Sequence, residues 1–157
     1  MYHARRGVLG ARAMLTSRMH GDEQEILNAN ARFYRAFADS DLAAMDDLWA
    51  REATVGCIHP GWSLLSGRES IMSSWRAILR HRGGLIAFSE PTVHQQGAMG
   101  LVVCREHIGE HILLATNVFV RENGQWTMVH HHAAPIMPDD EDDEDDGEEE
   151  EPVEPIN

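Results

Sequence analysis

Three consecutive histidines, His130, His131 and His132, stand near the end of an alternating stretch, QWTMVHHHAAP over residues 125–135. On an extended chain neighbouring side chains face opposite ways. His130 and His132 then share a face with Trp126 and Met128, and His131 lies with Thr127, Val129 and Ala133. A His-x-His pair can chelate zinc or iron, but either metal needs a third and usually a fourth ligand. His59, His107 or His111 could supply one, yet no acid or cysteine sits at a spacing that demands it. The expectation is therefore no metal and no cofactor, with the imidazoles hydrogen-bonded across a sheet or between subunits.

Two further groups carry chemical potential. Cys57 and His59 sit two residues apart in ATVGCIH. A thiolate–imidazole couple would be a nucleophile, but such residues lie ~6.5 Å apart at Cα on a strand and need not touch. A buried, inert Cys57 is the simpler expectation. His59 alone could take a proton near neutral pH, or it could brace the turn at Pro60. Asn117, in ATNVF, lies among apolar residues, where an amide costs free energy unless it is hydrogen-bonded. It would orient a ligand carbonyl or satisfy nearby backbone. Trp62 and Trp75 read as hydrophobic wall, although core packing alone would explain both. Arg105 and Glu106 read as a local pair on a strand.

The elements that must position these residues follow from periodicity. A first helix is expected from Asp22, where Asp22 and Glu25 form a capping-box arrangement. Ile26, Ala29, Phe33 and Phe37 make its apolar face. ADSD, residues 38–41, breaks it, and a short second helix buries Leu42, Met45, Leu48 and Trp49. ATVGCIH, residues 53–59, reads as a strand that PGW turns. A third helix opens with a second capping box, Ser66 to Glu69, buries Ile71, Trp75, Ile78 and Leu79, and stops at Gly83-Gly84. Beyond Leu85 the chain looks extended: LIAFS up to Pro91, AMGLVVCREH, a turn at IGE, HILLATNVFVR, a hairpin at ENG, and QWTMVHHHA. Helices followed by a run of antiparallel strands define an α+β domain.

The 157 residues suit one domain. The net charge of −13 is concentrated in the tail, since residues 139–157 carry thirteen acids and no base. That tail has nothing to bury and is expected to be disordered and solvated, from residue 138 onward. Without a basic stripe in the core, nucleic-acid binding is not expected. Residues 1–21 carry Arg5, Arg6, Arg12 and Arg18 and no acid. They read as an extension, either an organelle presequence or the product of a start placed ahead of Met14 or Met19. All thirteen basic residues are arginine, a bias that suits a GC-rich bacterial genome. No apolar run reaches the ~20 residues of a membrane helix, and two cysteines suggest a reducing cytoplasm.

FADSDLAAMDDLWAREATVGCIHPGW, LLSGRESIMSSW and ATNVFVRENGQWTMVHHHAAP together resemble the SnoaL-like branch of the nuclear transport factor 2-like superfamily. The resemblance covers about residues 22–137. It implies a cystatin-like cone, in which three helices close a strongly curved antiparallel sheet around an apolar cavity, and homodimers formed through the sheet. It implies no single activity, because the fold hosts isomerases, cyclases, dehydratases and non-catalytic modules. In ketosteroid isomerases of this superfamily a carboxylate base stands on the first strand and an oxyanion-stabilising tyrosine on the first helix. The matching positions are Cys57 and Phe33, so steroid isomerisation is not implied, and both residues become candidate cavity wall. The last strand also resembles the association domain of calcium/calmodulin-dependent protein kinase II, a non-catalytic oligomerisation module.

The family match turns Cys57, His59, Val129, His131 and Ala133 inward and places His130 and His132 outside, with a bulge able to swap faces. The expected function is binding of a small, largely apolar ligand. If there is turnover, it would be metal-free isomerisation, cyclisation or dehydration of a carbonyl compound, with His59 moving the proton and Asn117 and His131 polarising the oxygen. Phe33, Cys57, Trp62 and Trp75 would line the binding wall. The alternative is a ligand-binding or oligomerisation module without turnover.

Overall fold

Ile26, Ala29, Phe33 and Phe37 recur at helical spacing, and all four are buried. They lie on α1, Arg5–Ala38. The computed structural model describes residues 5–82 and 86–136, with side chains over 21–81 and 86–136. The acidic tail and the Gly83-Gly84 stop lie outside the described residues.

α1 extends through Asp22, so the expected start there is corrected. A mid-helix residue has no orphan N–H groups to cap. Asp22 instead accepts from Arg121 Nη1 at 2.7 Å and Gln95 Nε2 at 3.0 Å, and Glu25 accepts from Arg121 Nη2 at 3.0 Å. The two acids clamp α1 to the sheet. Past Ala38, Ser40 takes a left-handed φ of 54°. Asp41 then caps α2, Leu42–Leu48, by accepting from the Ala44 N–H at 2.9 Å. The capping box expected at Ser66 and Glu69 is also displaced. Ser66 ends a short strand, and Gly67, with φ 85°, precedes α3, Arg68–Arg82.

The sheet has six strands: β1 Gly56–Ile58, β2 Leu65–Ser66, β3 Ile86–Gln96, β4 Met99–Ile108, β5 His111–Glu122 and β6 Gln125–Pro135. Their spatial order is β2-β1-β6-β5-β4-β3. All pairs are antiparallel except β1 with β6, which is parallel. The fold is the expected α+β cone, a curved sheet closed by three helices. β2 is too short to show alternation and was not foreseen. β3 continues through Pro91, because the register shifts between Ser89 and Thr92 and Glu90 adopts φ 52°. A proline is tolerated at a bulge on an edge strand, where no ladder hydrogen bond is lost. At ENG, Asn123 and Gly124 take φ of 50° and 82°, the conformation of a two-residue hairpin turn.

A second register shift decides the faces of β6. Val118 pairs with His130 but Phe119 pairs with Met128, which leaves Val129 as the extra residue. Trp126 and Met128 therefore face the core together with His131 and Ala133, and all four are buried. The grouping of Trp126 and Met128 with His130 and His132 is corrected, because simple alternation fails across a bulge. No helix among the described residues is long and apolar enough to cross a membrane.

α1 approaches the sheet closely at Gly100 on β4. A Cβ there would lie 2.6 Å from Ile26 Cδ1 and 2.8 Å from its Cγ1. Gly100→Ala is expected to destabilise the protein by about 1–3 kcal/mol through overpacking. Urea unfolding checks this, and an unchanged midpoint would refute the close approach.

Candidate functional site

Between α1, α3 and the concave side of the sheet lies a cavity of about 140 Å³. Phe37, Trp62, Trp75, Ile78 and Ile108 form its apolar wall, and Glu106, His59 and His131 supply its ionisable groups. The turn after β1 builds the mouth. The Trp62 N–H donates to the His59 carbonyl at 2.9 Å, with Pro60 ahead of Gly61 at φ 79°. That is the proline–glycine order of a type II turn. Trp62 remains 49% exposed while Trp75 is fully buried, so Trp62 marks the entrance and Trp75 the interior.

His59 is buried and its Nε2 lies 2.8 Å from Ser74 Oγ. Ser74 already donates its proton to the Ile71 carbonyl at 2.7 Å. The serine oxygen must therefore accept from His59, which fixes the Nε2–H tautomer and leaves Nδ1 as a lone pair. Burial lowers the His59 pKa to about 4. Cys57 Sγ lies 3.8–3.9 Å from the ring nitrogens. Burial, followed by the nearby charge of Glu106, pushes its thiol up to about 12, which keeps it protonated and unsuited to nucleophilic attack.

On β6 the His131 Nδ1–H donates to Asn117 Oδ1 at 2.7 Å, leaving Nε2 as that ring's acceptor. Burial, and then the neighbouring imidazoles, push its pKa down to about 3. The Asn117 amide nitrogen donates to Asn30 Oδ1 at 2.8 Å and to Tyr34 Oη at 3.3 Å. Tyr34 in turn donates to Glu106 Oε2 at 3.0 Å, with Cys104 Sγ 3.4 Å from the phenol. Burial and the adjacent Glu106 raise the phenol well above its ordinary value, so it acts as a donor and not as an acid.

Glu106 is the group that sequence reasoning passed over. It is 1% exposed, and among the described residues no arginine pairs with it. Arg105, its expected partner, instead pairs with Glu90 at 3.0 Å. Desolvation outweighs the Tyr34 hydrogen bond and raises the carboxyl to about 7. A signal was present: Val102, Cys104 and Glu106 share one phase of β4, so an acid sits on the apolar face. Tyr34, one residue beyond Phe33, was missed as well, and it carries the phenol that meets this acid.

Of the candidate residues, His59, His131, Trp62 and Trp75 line the cavity. Phe33, Cys57 and Asn117 are fully buried behind that surface. Phe33 packs at 4.8 Å on His131 and at 5.5 Å on Trp75. Asn117 has its polar atoms committed to other side chains and orients His131 from behind. The polarising role expected of Asn117 and His131 finds no free N–H here, because the His131 proton points to Asn117 and the Asn117 protons point to Asn30 and Tyr34. His130 and His132 lie on the other face with ring centroids 6.5 Å apart, and no group of three or more metal-binding side chains occurs among the described residues.

This cone matches known proteins in sequence and fold. Residues 26–138 match the SnoaL-like domain family, and the chain belongs to that family, within the nuclear transport factor 2-like superfamily. It is 33% identical over 119 residues to the F-box protein SKIP8 of Arabidopsis thaliana, covering 73% of this chain and 51% of that protein. The chain thus spans about half the length of this curated relative. Among solved structures it is 31% identical, with a TM-score of 0.68, to a candidate dehydratase of the NTF2-like family from Streptomyces avermitilis, covering 75% of this chain and 98% of that one. It is 33% identical, with a TM-score of 0.60, to a candidate calcium/calmodulin-dependent protein kinase type II association domain from Thiobacillus denitrificans, covering 69% and 93%.

The raised carboxyl makes a pH prediction with a definite sign. A folded pKa of about 7 against an ordinary 4.5 means that the folded state holds the proton more tightly. This favours folding below pH 4.5, and the advantage is lost as the pH rises through 7. Glu106→Gln should remove a loss of about 2–3 kcal/mol between about pH 5 and about pH 8. The two lowered imidazoles act oppositely below pH 6.5 and are common to both proteins. Urea unfolding of wild type and variant at matched pH measures the difference, and parallel stability curves would rule out the raised carboxyl.

Proposed function

We propose that this protein binds a small, largely apolar carbonyl compound in the cavity and moves a proton on it, with Glu106 as the acid–base group. The observation that carries the reading is the Glu106 carboxyl, buried on the cavity wall with no arginine paired to it among the described residues, so that desolvation raises its pKa toward neutrality. A general acid–base works best when its pKa lies near the working pH. The imidazoles of His59 and His131 are too weakly basic for that task, but the Nε2 lone pair of His131 can accept a hydrogen bond from a substrate hydroxyl. The arrangement suits a hydroxylated carbonyl compound. The Glu106 carboxylate takes the proton from the carbon beside the carbonyl. The carboxyl formed then protonates the departing hydroxyl, so the carbon–oxygen bond breaks as water leaves and a carbon–carbon double bond remains. The steps balance without a cofactor. Similarity to a candidate dehydratase supports this class of reaction.

The test uses 3-hydroxycyclohexanone and follows the conjugated product by its ultraviolet absorbance. Dehydration should exceed the uncatalysed rate, and Glu106→Gln should lower it by about 10²–10⁴-fold. A rate unchanged in the variant would sink the assignment of Glu106.

A second reading, a homodimeric module without turnover, draws on the outer face of the sheet. Leu114 and Ile112 are 48% and 46% exposed there, and Thr116 pairs with His132 beside them. Apolar residues on an uncovered sheet face suit an interface between two copies, and the similarity to a candidate association domain supports it. Leu114→Glu is expected to convert a dimer to a monomer in light scattering. A wild type that is already monomeric at high concentration would end this reading.

A further inference from the structure

We infer that the cavity selects its ligand by charge and size, taking an uncharged compound no larger than one substituted ring and rejecting anions. The inference deepens the reading above and rests on its placing of the ligand in this cavity. Size comes first. A volume of about 140 Å³ is close to the ~150 Å³ of an apolar cavity that holds benzene, and well below the ~300 Å³ at which drug-sized pockets begin. Phe37, Trp75 and Ile78 form walls on two helices, and Phe37 and Trp75 pack edge to face at 5.2 Å. Enlarging the space would mean breaking that contact.

Charge follows from which groups face Glu106. α1 presents Tyr34, β1 presents Cys57, the turn after it His59, β4 Cys104 and β6 His131, while α3 offers Trp75 and Ile78. Among the described residues no arginine lines the cavity. Both imidazoles have committed their protons to Ser74 and Asn117, so neither offers an N–H to whatever enters. An anion would meet lone pairs and a carboxyl, with no cation to offset its desolvation. It could enter only when Glu106 is protonated. A cation would find one carboxylate and would still have to shed its own hydration. A neutral hydroxyl or carbonyl compound has neither cost, and its O–H can donate to an imidazole.

The experiment measures binding of benzaldehyde, benzylamine, benzoate and 2-naphthaldehyde to the full chain by ligand-observed NMR and calorimetry, from about pH 6 to pH 9. Benzaldehyde should bind most tightly, with an affinity that hardly varies with pH. Benzoate should weaken about tenfold per pH unit above pH 7, because its entry requires a proton on Glu106. Glu106→Gln should make the benzoate affinity independent of pH. 2-Naphthaldehyde should not compete. Benzoate binding as tightly as the aldehyde at pH 9 would overturn the charge selection, as would benzylamine binding more tightly than the aldehyde. Tight binding of the naphthyl compound would overturn the size limit. If none of the four binds, the cavity is no ligand site and the reading beneath falls too. Binding of benzaldehyde without dehydration of 3-hydroxycyclohexanone would remove the reaction and leave the selectivity standing.

Discussion

A buried carboxylic acid, with no arginine paired to it among the described residues, is the constraint around which the rest of the interior is arranged. Glu106 lies 1% exposed on the concave side of the sheet, where an ionised carboxylate is costly and a neutral one needs a hydrogen-bond partner. Tyr34 supplies that partner from α1. The phenol oxygen then accepts from Asn117, Asn117 accepts from His131, and the tautomer of His131 is set three hydrogen bonds away from the acid. Each link leaves the next with one way to satisfy its lone pairs and protons. The chain of bonds crosses from α1 to β4, β5 and β6, so the helix and three strands share one polar spine inside an apolar shell. A directional network of this kind specifies how those elements meet more sharply than contacts among Phe33, Trp75 and Phe119 could, because apolar packing tolerates sliding.

The same sheet is used differently on its two faces, and one inserted residue separates the uses. With Val129 bulged out of register, Trp126 and Met128 turn into the core on one side of it, and His131 and Ala133 do so on the other. His130 and His132 are left on the convex side, where the pair resembles a chelate in sequence but stands apart from other ligands. Three adjacent histidines thus have two environments. The middle one is part of the spine, and its neighbours belong to a surface shared with Thr116 and Val118.

How far these features can be read from residues alone depends on the range of the forces that create them. The helix faces of Ile26, Phe33 and Phe37 and of Ile71 and Trp75 follow from local periodicity, and the hairpin at Asn123-Gly124 follows from turn chemistry. Asp22 misled because a capping box and a surface clamp use the same residue types. Only the helical turns upstream, and Arg121 reaching across from β5, distinguish them. The bulges at Glu90 and Val129 come from how strands pair, which no single strand encodes. Glu106 was legible in principle, as an acid in the apolar phase of β4. Its adjacency to Arg105 made a surface pair the easier explanation, although side chains one apart on a strand face opposite ways. Tyr34 was hidden for a related reason: attention to the position of Phe33 overlooked that a helix presents neighbouring residues to different parts of a cavity.

Burial also accounts for why one group, and not three, is left to exchange protons. Desolvation opposes whichever form is charged. It therefore raises the carboxyl of Glu106 toward neutrality and lowers His59 and His131 away from it. A single environment thus separates three groups that would otherwise titrate within about two units of one another. The imidazoles become fixed acceptors, and the acid becomes the one titrating member of the wall near pH 7. Had an arginine lain beside Glu106, the carboxyl would be held ionised and the cavity would carry a permanent ion pair. A one-residue shift of β4 would turn Glu106 out and Arg105 in, so the phase of one strand decides whether this hollow holds a titrating acid or a fixed cation.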